Sequence, residues 1–253
     1  MSLEDQLIED IVNGEYSLER ALLISSGLST EKEVQEYVQK LDLIQDGFEE
    51  YMSKHVRDEE LSQIETARLL FDYLWKINRD MYPKGFWGSI RYYWSVSLMK
   101  IFWSSWRYKK HNYLLTDVIN GQLSNKKKGF GNCYGLTKLY TVLGLRYNLN
   151  LSVLWLPDHV KNRLRDGDTI VDIENNHSDG FGEKDSDEYT EHSPFSLLAY
   201  SHLLPYICER LCYHYVVEKV SGDLAKAYEI YDKIIEITIS SRSLREQVLI
   251  NIL

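Results

Sequence analysis

The chain has 253 residues, of which 44% are hydrophobic and 26% charged, and its formal net charge is −9. This composition is typical of a globular protein and excludes a disordered one. The excess of 38 acidic over 29 basic residues argues against a nucleic-acid backbone as the main partner.

The cysteine content and the hydrophobic segments indicate the cellular compartment of the protein. Three cysteines are too few for a disulfide framework and indicate a reducing environment. The first residues are acidic and contain no apolar core, so we expect no secretory signal. The most apolar stretch, residues 92–106, includes Lys100 and several serines and is too short to span a bilayer. We therefore expect a cytoplasmic protein without membrane contact.

The first part of the chain, residues 1–82, is predicted to be a helical region. Apolar residues recur there at helical spacing, and helices are expected over 3–12, 18–24, 30–48 and 58–78. Ser17 precedes the second helix, and Thr30 with Glu33 matches a capping box at the start of the third. The stripe of the third helix consists of Val34, Tyr37, Val38, Leu41, Ile44 and Phe48.

An aromatic segment, residues 86–108, follows the break at Pro83 and Gly85. Its four tryptophans are expected in the core, and the alternative is that one of them lines a cleft beside Cys133. A short helix is predicted over 113–123, and the basic run 126–128 is interpreted as a solvated loop.

The most informative stretch, residues 129–147, places Cys133 after Gly131 and Asn132 at the predicted start of a helix. The apolar residues that follow recur at helical spacing and mark a buried face. A thiol at a helix N-terminus lies near the positive end of the helix dipole and near unpaired backbone N–H groups. Both favour the thiolate, which is the nucleophilic form.

Three strands are predicted after this helix, over 151–156, 159–163 and 168–174. Pro157 and Asp158 separate the first two, and the pair Asp166-Gly167 is a hairpin signal between the second and third. Residues 175–193 are polar and are predicted to form a long loop. The segment 191–253 is predicted to be a helical tail that resembles a single tetratricopeptide-type helix pair. The expected regions are therefore 1–82, 83–190 and 191–253, packed as one compact unit.

A nucleophilic cysteine needs a base, and the base needs an orienting acceptor. His159 is the candidate base, and the predicted hairpin offers two acids. A turn made by Asp166-Gly167 alone places His159 opposite Glu174, whereas a four-residue loop from Leu164 to Gly167 places it opposite Asp172. Both acids are expected on one face of the strand, so hairpin geometry leaves the choice open.

Three sequence stretches together resemble the transglutaminase-like superfamily. They are Gly-Asn-Cys at 131–133 with the helix that follows, Pro-Asp-His at 157–159, and Ile-Val-Asp-Ile-Glu at 170–174. The most similar branch is a prokaryotic one that often has a tetratricopeptide-like tail. The resemblance covers about residues 129–182, and Ile173 stands where the family often has proline.

The resemblance implies an α+β fold with a papain-like core, in which a cysteine-bearing helix packs on a small antiparallel sheet. It carries Cys133 and His159 over as catalytic residues. It also favours Asp172 as the orienting acid, because the family's aspartate follows two apolar strand residues, and it leaves Glu174 in reserve. The superfamily contains transglutaminases, peptidases, deamidases, deglycosylases and inactive relatives.

The function predicted from these observations is that of a cysteine hydrolase or peptidase, or an acyltransferase. It would cleave an amide-type bond in a protein or peptide through a thioester acyl-enzyme, without a cofactor. Hydrolysis is favoured over cross-linking because nothing marks a second-amine site. The alternative is a catalytically inactive protein that keeps the fold and acts as a protein-binding scaffold.

A metal site is not expected. Cys208 and Cys212 lie one helical turn apart, and His202 and His214 are near them in sequence. Their spacing is not that of a structural zinc site, and the apolar neighbours indicate two core cysteines.

Overall fold

This computed structural model describes residues 3, 6, 7, 10, 15–56, 60–76, 114–124, 131–156, 159–177, 179–182 and 189–198. These residues form an α+β structure with a small antiparallel sheet, which confirms the coarse fold class. The helices are α1 (Leu18–Ile24), α2 (Glu31–His55), α3 (Gln63–Lys76), α4 (Leu115–Leu123) and α5 (Cys133–Arg146), and the strands are β1 (Leu151–Leu156), β2 (His159–Asp166), β3 (Thr169–Ile173) and β4 (Thr190–His192).

The described residues divide into two compact units. One lies within Met1–Tyr37 and Thr190–Leu253, and the other within Val38–Tyr189. In the first unit, the ring of Tyr16 meets the ring of Phe195 edge-on with centroids 4.7 Å apart. Leu3 and Leu7 of this unit are helical and buried. The three sequence regions expected above remain predictions.

The helix starts follow the capping residues. Ser17 is the N-cap of α1, and Thr30 and Glu33 form the predicted capping box of α2, with Thr30 N–H donating to Glu33 Oε2 over 2.9 Å. The predicted start of α3 at residue 58 is wrong for a related reason. Ser62 and Glu65 form a second capping box, in which Ser62 N–H donates to Glu65 Oε2 over 2.9 Å, and the helix begins after it.

Helix α5 is the central element of the second unit and contacts α3, α4, β1 and β2. Ten consecutive residues from Gly135 to Gly144 are buried, so the helix has no solvent-facing stripe along this length. Two glycines allow neighbouring side chains to pack closely against the backbone. A Cβ on Gly131 would lie 2.9 Å from Leu136 Cγ, and one on Gly144 would lie 2.5 Å from Leu151 Cδ1.

The sheet contains two successive hairpins. In the first, Leu151 pairs with Leu164 and Leu156 pairs with His159. In the second, Asp166 pairs with Thr169 and Arg163 with Asp172. Gly167 and Asp168 therefore make the turn, which corrects both predicted loops. Gly167 has φ +58°, while Asp168 does not have a positive φ, and a glycine with positive φ at the first central position is typical of a type II′ turn.

The remaining sequence predictions have mixed outcomes. The expected loop 175–193 contains the short strand β4, and a 3-10 helix spans Pro194–Leu198. The aromatic segment 86–108, the basic run 126–128, Pro157 and Asp158, and the chain after residue 198 lie outside the described residues. None of the helices in the described part of the chain is both long enough and apolar enough to cross a membrane.

Candidate active site

Cys133 is the first residue of α5, as the sequence predicts. Asn132 is the N-cap in extended conformation, and its Oδ1 accepts the Gly135 N–H over 3.0 Å. This cap starts the helix directly at the cysteine, and no acidic residue lies in the first turn. Cys133 is a free thiol and its residue is 3% exposed. The thiol therefore lies at the positive end of a capped, buried helix.

His159 begins β2 and lies between the thiol and a carboxylate. Its side chain interacts with that of Cys133, which raises the pKa of the imidazole, and its Nε2 is hydrogen-bonded to Glu174 Oε2. The structure thus brings together Cys133, His159 and Glu174.

Glu174 is held from several directions. The residue is buried, and its second oxygen, Oε1, accepts the Asn176 N–H over 2.9 Å. Its backbone N–H donates to Gly180 O over 2.8 Å. A Cβ on Gly180 would lie 2.1 Å from Glu174 O, so residue 180 can approach Glu174 this closely only because it is glycine.

Asp172, the acid favoured by the resemblance, is not placed against His159. It lies directly opposite Arg163 in the hairpin, and Arg163 Nε and Nη2 donate to its two oxygens over 2.6 and 3.0 Å. The physical reason is the register. Continuing the pairing one residue past β3 puts Glu174 opposite Lys161 and diagonal to His159, within reach of its longer side chain.

The charge state of His159 follows from these neighbours. Burial lowers the pKa of His159, but its side-chain interactions with Cys133 and Glu174, which accept from the ring, and the negative charges of both raise it, to about 10. An imidazole with this pKa is protonated at neutral pH. The site therefore holds an imidazolium beside the Cys133 side chain and the Glu174 carboxylate.

A pH dependence of stability follows. The pKa of His159 is raised above its ordinary value of 6.5, so the folded chain keeps a proton that the unfolded chain releases. This stabilisation is fully present below about pH 6.5 and is lost as the pH rises toward about 10. We expect the difference in unfolding free energy between the wild type and His159→Gln to shrink between about pH 6 and about pH 9, measured by urea denaturation. A constant difference would contradict the raised pKa.

The sheet face beside His159 carries a second charged group that the sequence did not reveal. Lys161 is buried, and its Nζ lies 3.7 Å from Asp172 Oδ2 and 4.3 Å from the ring centroid of Tyr189. The ring of Tyr189 also lies edge-on to His159, at 6.4 Å between centroids. Asp172 therefore pairs with the cationic side chains of Arg163 and Lys161 on this face rather than with His159.

Known proteins provide no identification for the arrangement. No family model, no curated protein and no solved structure matches this chain. The transglutaminase-like resemblance consequently remains an expectation from its motifs.

Within the described ranges, no three His, Cys, Asp or Glu side chains converge in a way that could hold a metal ion. Cys208, Cys212, His202 and His214 lie outside those ranges. The groups described at the site can move a proton and carry a nucleophile, and this is the chemistry on which its function is argued below.

Proposed function

We propose that the chain is a transglutaminase-like cysteine hydrolase with a papain-like core, which cleaves an amide-type bond in a protein or peptide. Cys133 would be the nucleophile, His159 the acid and base, and Glu174 the orienting acid. The single observation that carries the proposal is the hydrogen bond of His159 to the Glu174 carboxylate, together with a Cys133 side chain close enough to raise the pKa of the same imidazole. This is the order of groups that thiol acyl transfer requires.

The proposed reaction has two halves. The Cys133 thiolate attacks the carbonyl carbon and forms a C–S bond, and the C–N bond breaks as the His159 imidazolium gives its proton to the leaving amine. The product of this half is a thioester. Water then loses a proton to the neutral imidazole and attacks the thioester carbon. The C–S bond breaks, the carboxylic acid leaves, and the thiolate and imidazolium are restored.

The N-terminus of α5 can stabilise the negative charge that develops on the carbonyl oxygen of the substrate during attack. Backbone N–H groups in the first turn of a helix, such as that of Cys133, have no carbonyl one turn earlier within the helix to bond, and Gly135 N–H is used by the Asn132 cap. The Cys133 N–H would therefore be a donor to the oxyanion.

The competing function is a protein-binding scaffold that keeps the fold without turnover. The observation that favours it is the burial of Cys133, at 3% exposure, because a thiol must meet its substrate to act on it. The two functions predict opposite behaviour of the folded thiol toward a small acyl donor.

The test is acylation of Cys133 by p-nitrophenyl acetate, with a synthetic peptide of residues 129–137 as the matched free-thiol control. We expect the folded chain to be acetylated at Cys133 faster than the peptide and to release nitrophenol in a burst followed by slow turnover. Peptide mass spectrometry locates the acetyl group. Acetylation of Cys133 no faster than that of the peptide would contradict the proposal and favour the scaffold.

A further inference from the structure

A buried polar cluster lies between α5 and the hairpin, and we propose that it is the positioning device of the Cys133–His159–Glu174 site. The cluster consists of Thr137, Thr141, Asn162 and Asn175. It positions the three site residues and does not itself touch the reacting atoms. This inference rests on the proposed function for its catalytic meaning, but its structural claim can be tested separately.

The cluster is connected by short hydrogen bonds. Asn162 Nδ2 donates to Thr141 Oγ1 over 2.7 Å, and Asn175 Nδ2 donates to Asn162 Oδ1 over 2.8 Å. Asn175 Nδ2 also lies 3.3 Å from Thr137 Oγ1. All four residues are buried, with Thr137, Thr141 and Asn162 at 0% exposure. The cost of burying these polar groups is offset only while the bonds between them are made.

Two further bonds tie the cluster to the backbone. Thr137 Oγ1 donates to Val160 O over 3.3 Å, across to β2, and Thr141 Oγ1 donates to Thr137 O over 2.7 Å, within α5. Asn175 Nδ2 lies 3.4 Å from Ile173 O at the end of β3. The cluster therefore joins the helix, β2 and the end of β3.

Each attachment point lies next to one residue of the site. Thr137 follows Cys133 by four positions, which places both on the same side of the helix. Val160 is the neighbour of His159, and Asn175 is the neighbour of Glu174. A change in any of these bonds shifts α5 against the hairpin, and with it the separation of the thiol, imidazole and carboxylate. The distances between these three groups matter because a small displacement of reacting groups strongly reduces the reaction rate.

Threonine allows a matched pair of variants. Thr137→Val keeps the shape of the side chain and removes the hydroxyl, whereas Thr137→Ser keeps the hydroxyl and removes a methyl group. Ser25→Ala, which removes a hydroxyl that donates to Leu22 O at the end of α1, is the control for loss of a buried hydrogen bond in the other compact unit. Thr141→Val is a second test of the same cluster should Thr137→Val fail to fold.

The first measurement is the titration of His159 by NMR in the full chain with labelled histidine, assigned with His159→Gln. We expect His159 of Thr137→Val to titrate about 1 pH unit lower than in the wild type, and Thr137→Ser and Ser25→Ala to titrate as the wild type does. Unchanged titration of His159 in folded Thr137→Val, or in folded Thr141→Val, would overturn the inference.

The second measurement is the alkylation rate of Cys133 by iodoacetamide at neutral pH. Thr137→Val should react about fivefold more slowly than the wild type, and Thr137→Ser should restore most of the rate. If wild-type Cys133 reacts no faster than the peptide of residues 129–137, the proposed function fails, while the NMR titration still decides whether the cluster positions His159.

Discussion

Replacing Glu174 with glutamine is expected to slow alkylation of Cys133 by iodoacetamide about tenfold at neutral pH, whereas Asp172→Asn leaves the rate within about twofold. Glutamine keeps a hydrogen-bonding group beside His159 but removes the charge that helps raise the pKa of the imidazole. Asp172 contacts Arg163 and Lys161 instead. The rates are measured by mass spectrometry of the peptide that contains Cys133.

His159→Ala sets the upper limit for this comparison, since it removes the imidazolium that stabilises the Cys133 thiolate and should slow alkylation about a hundredfold. Asp172→Asn is expected to lower the unfolding free energy by about 1 to 2 kcal/mol, because two buried or half-buried cations lose a charged partner. If Asp172→Asn and Glu174→Gln slow the alkylation of Cys133 equally, in proteins of equal stability, Asp172 would be assigned the orienting role instead.

Gly180→Ala is expected to lower the unfolding free energy by about 3 kcal/mol and to reduce the reactivity of Cys133 as well. The new methyl group would lie 2.1 Å from Glu174 O and 2.8 Å from Glu174 Cβ. Backbone atoms cannot move aside as the end of a flexible side chain can, so Glu174 must shift away from His159. Urea denaturation and the alkylation rate measure the two effects.

Gly167→Ala, in the turn between β2 and β3, is the matched control. Gly167 has φ +58° and no other group within 4 Å of an added Cβ, so alanine there strains the backbone by about 1 kcal/mol and leaves the site intact. Stability should fall in both variants, but the alkylation rate should fall only in Gly180→Ala. A wild-type rate in Gly180→Ala would show that the close approach of Gly180 does not position Glu174.

The sequence is sufficient to place the cysteine and the histidine of the site. Asn132 and Gly131 ahead of an apolar periodic stretch predict the start of α5, and this local signal is confirmed because N-capping depends on neighbouring residues alone. The strand that begins at His159 is also predicted by the break at residues 157–158. Whether Cys133 and His159 act as catalytic residues stays a prediction.

The choice of acid could not be made from the sequence because it depends on the turn. Asp166-Gly167 and Gly167-Asp168 are both acceptable hairpin turns, and the second one changes the register of the strand by two residues. A register shift of two residues keeps each side chain on the same face of the sheet. Glu174 therefore stays on the face of His159, while Asp172 pairs with Arg163.

The polar cluster was missed for a different reason. Thr137 and Thr141 lie one turn apart on a helix, and Asn162 interrupts the alternating apolar residues Val160 and Leu164. That interruption is the available signal, since a polar residue on an inward face must find partners. The partners of Asn162 are Thr141 on α5 and Asn175. Both are distant from Asn162 in sequence, so the sequence does not indicate these contacts.

The burial of α5 on all sides has a consequence for how such a protein can diversify. Between Gly135 and Gly144 every position of this helix touches other parts of the protein, so almost any replacement there also changes the stability of the unit. Variants selected for a new specificity would therefore accumulate on the loops and strand ends around His159, while the cysteine-bearing helix stayed nearly constant. In a library of random mutants sorted for folding, α5 should be the segment most depleted of substitutions.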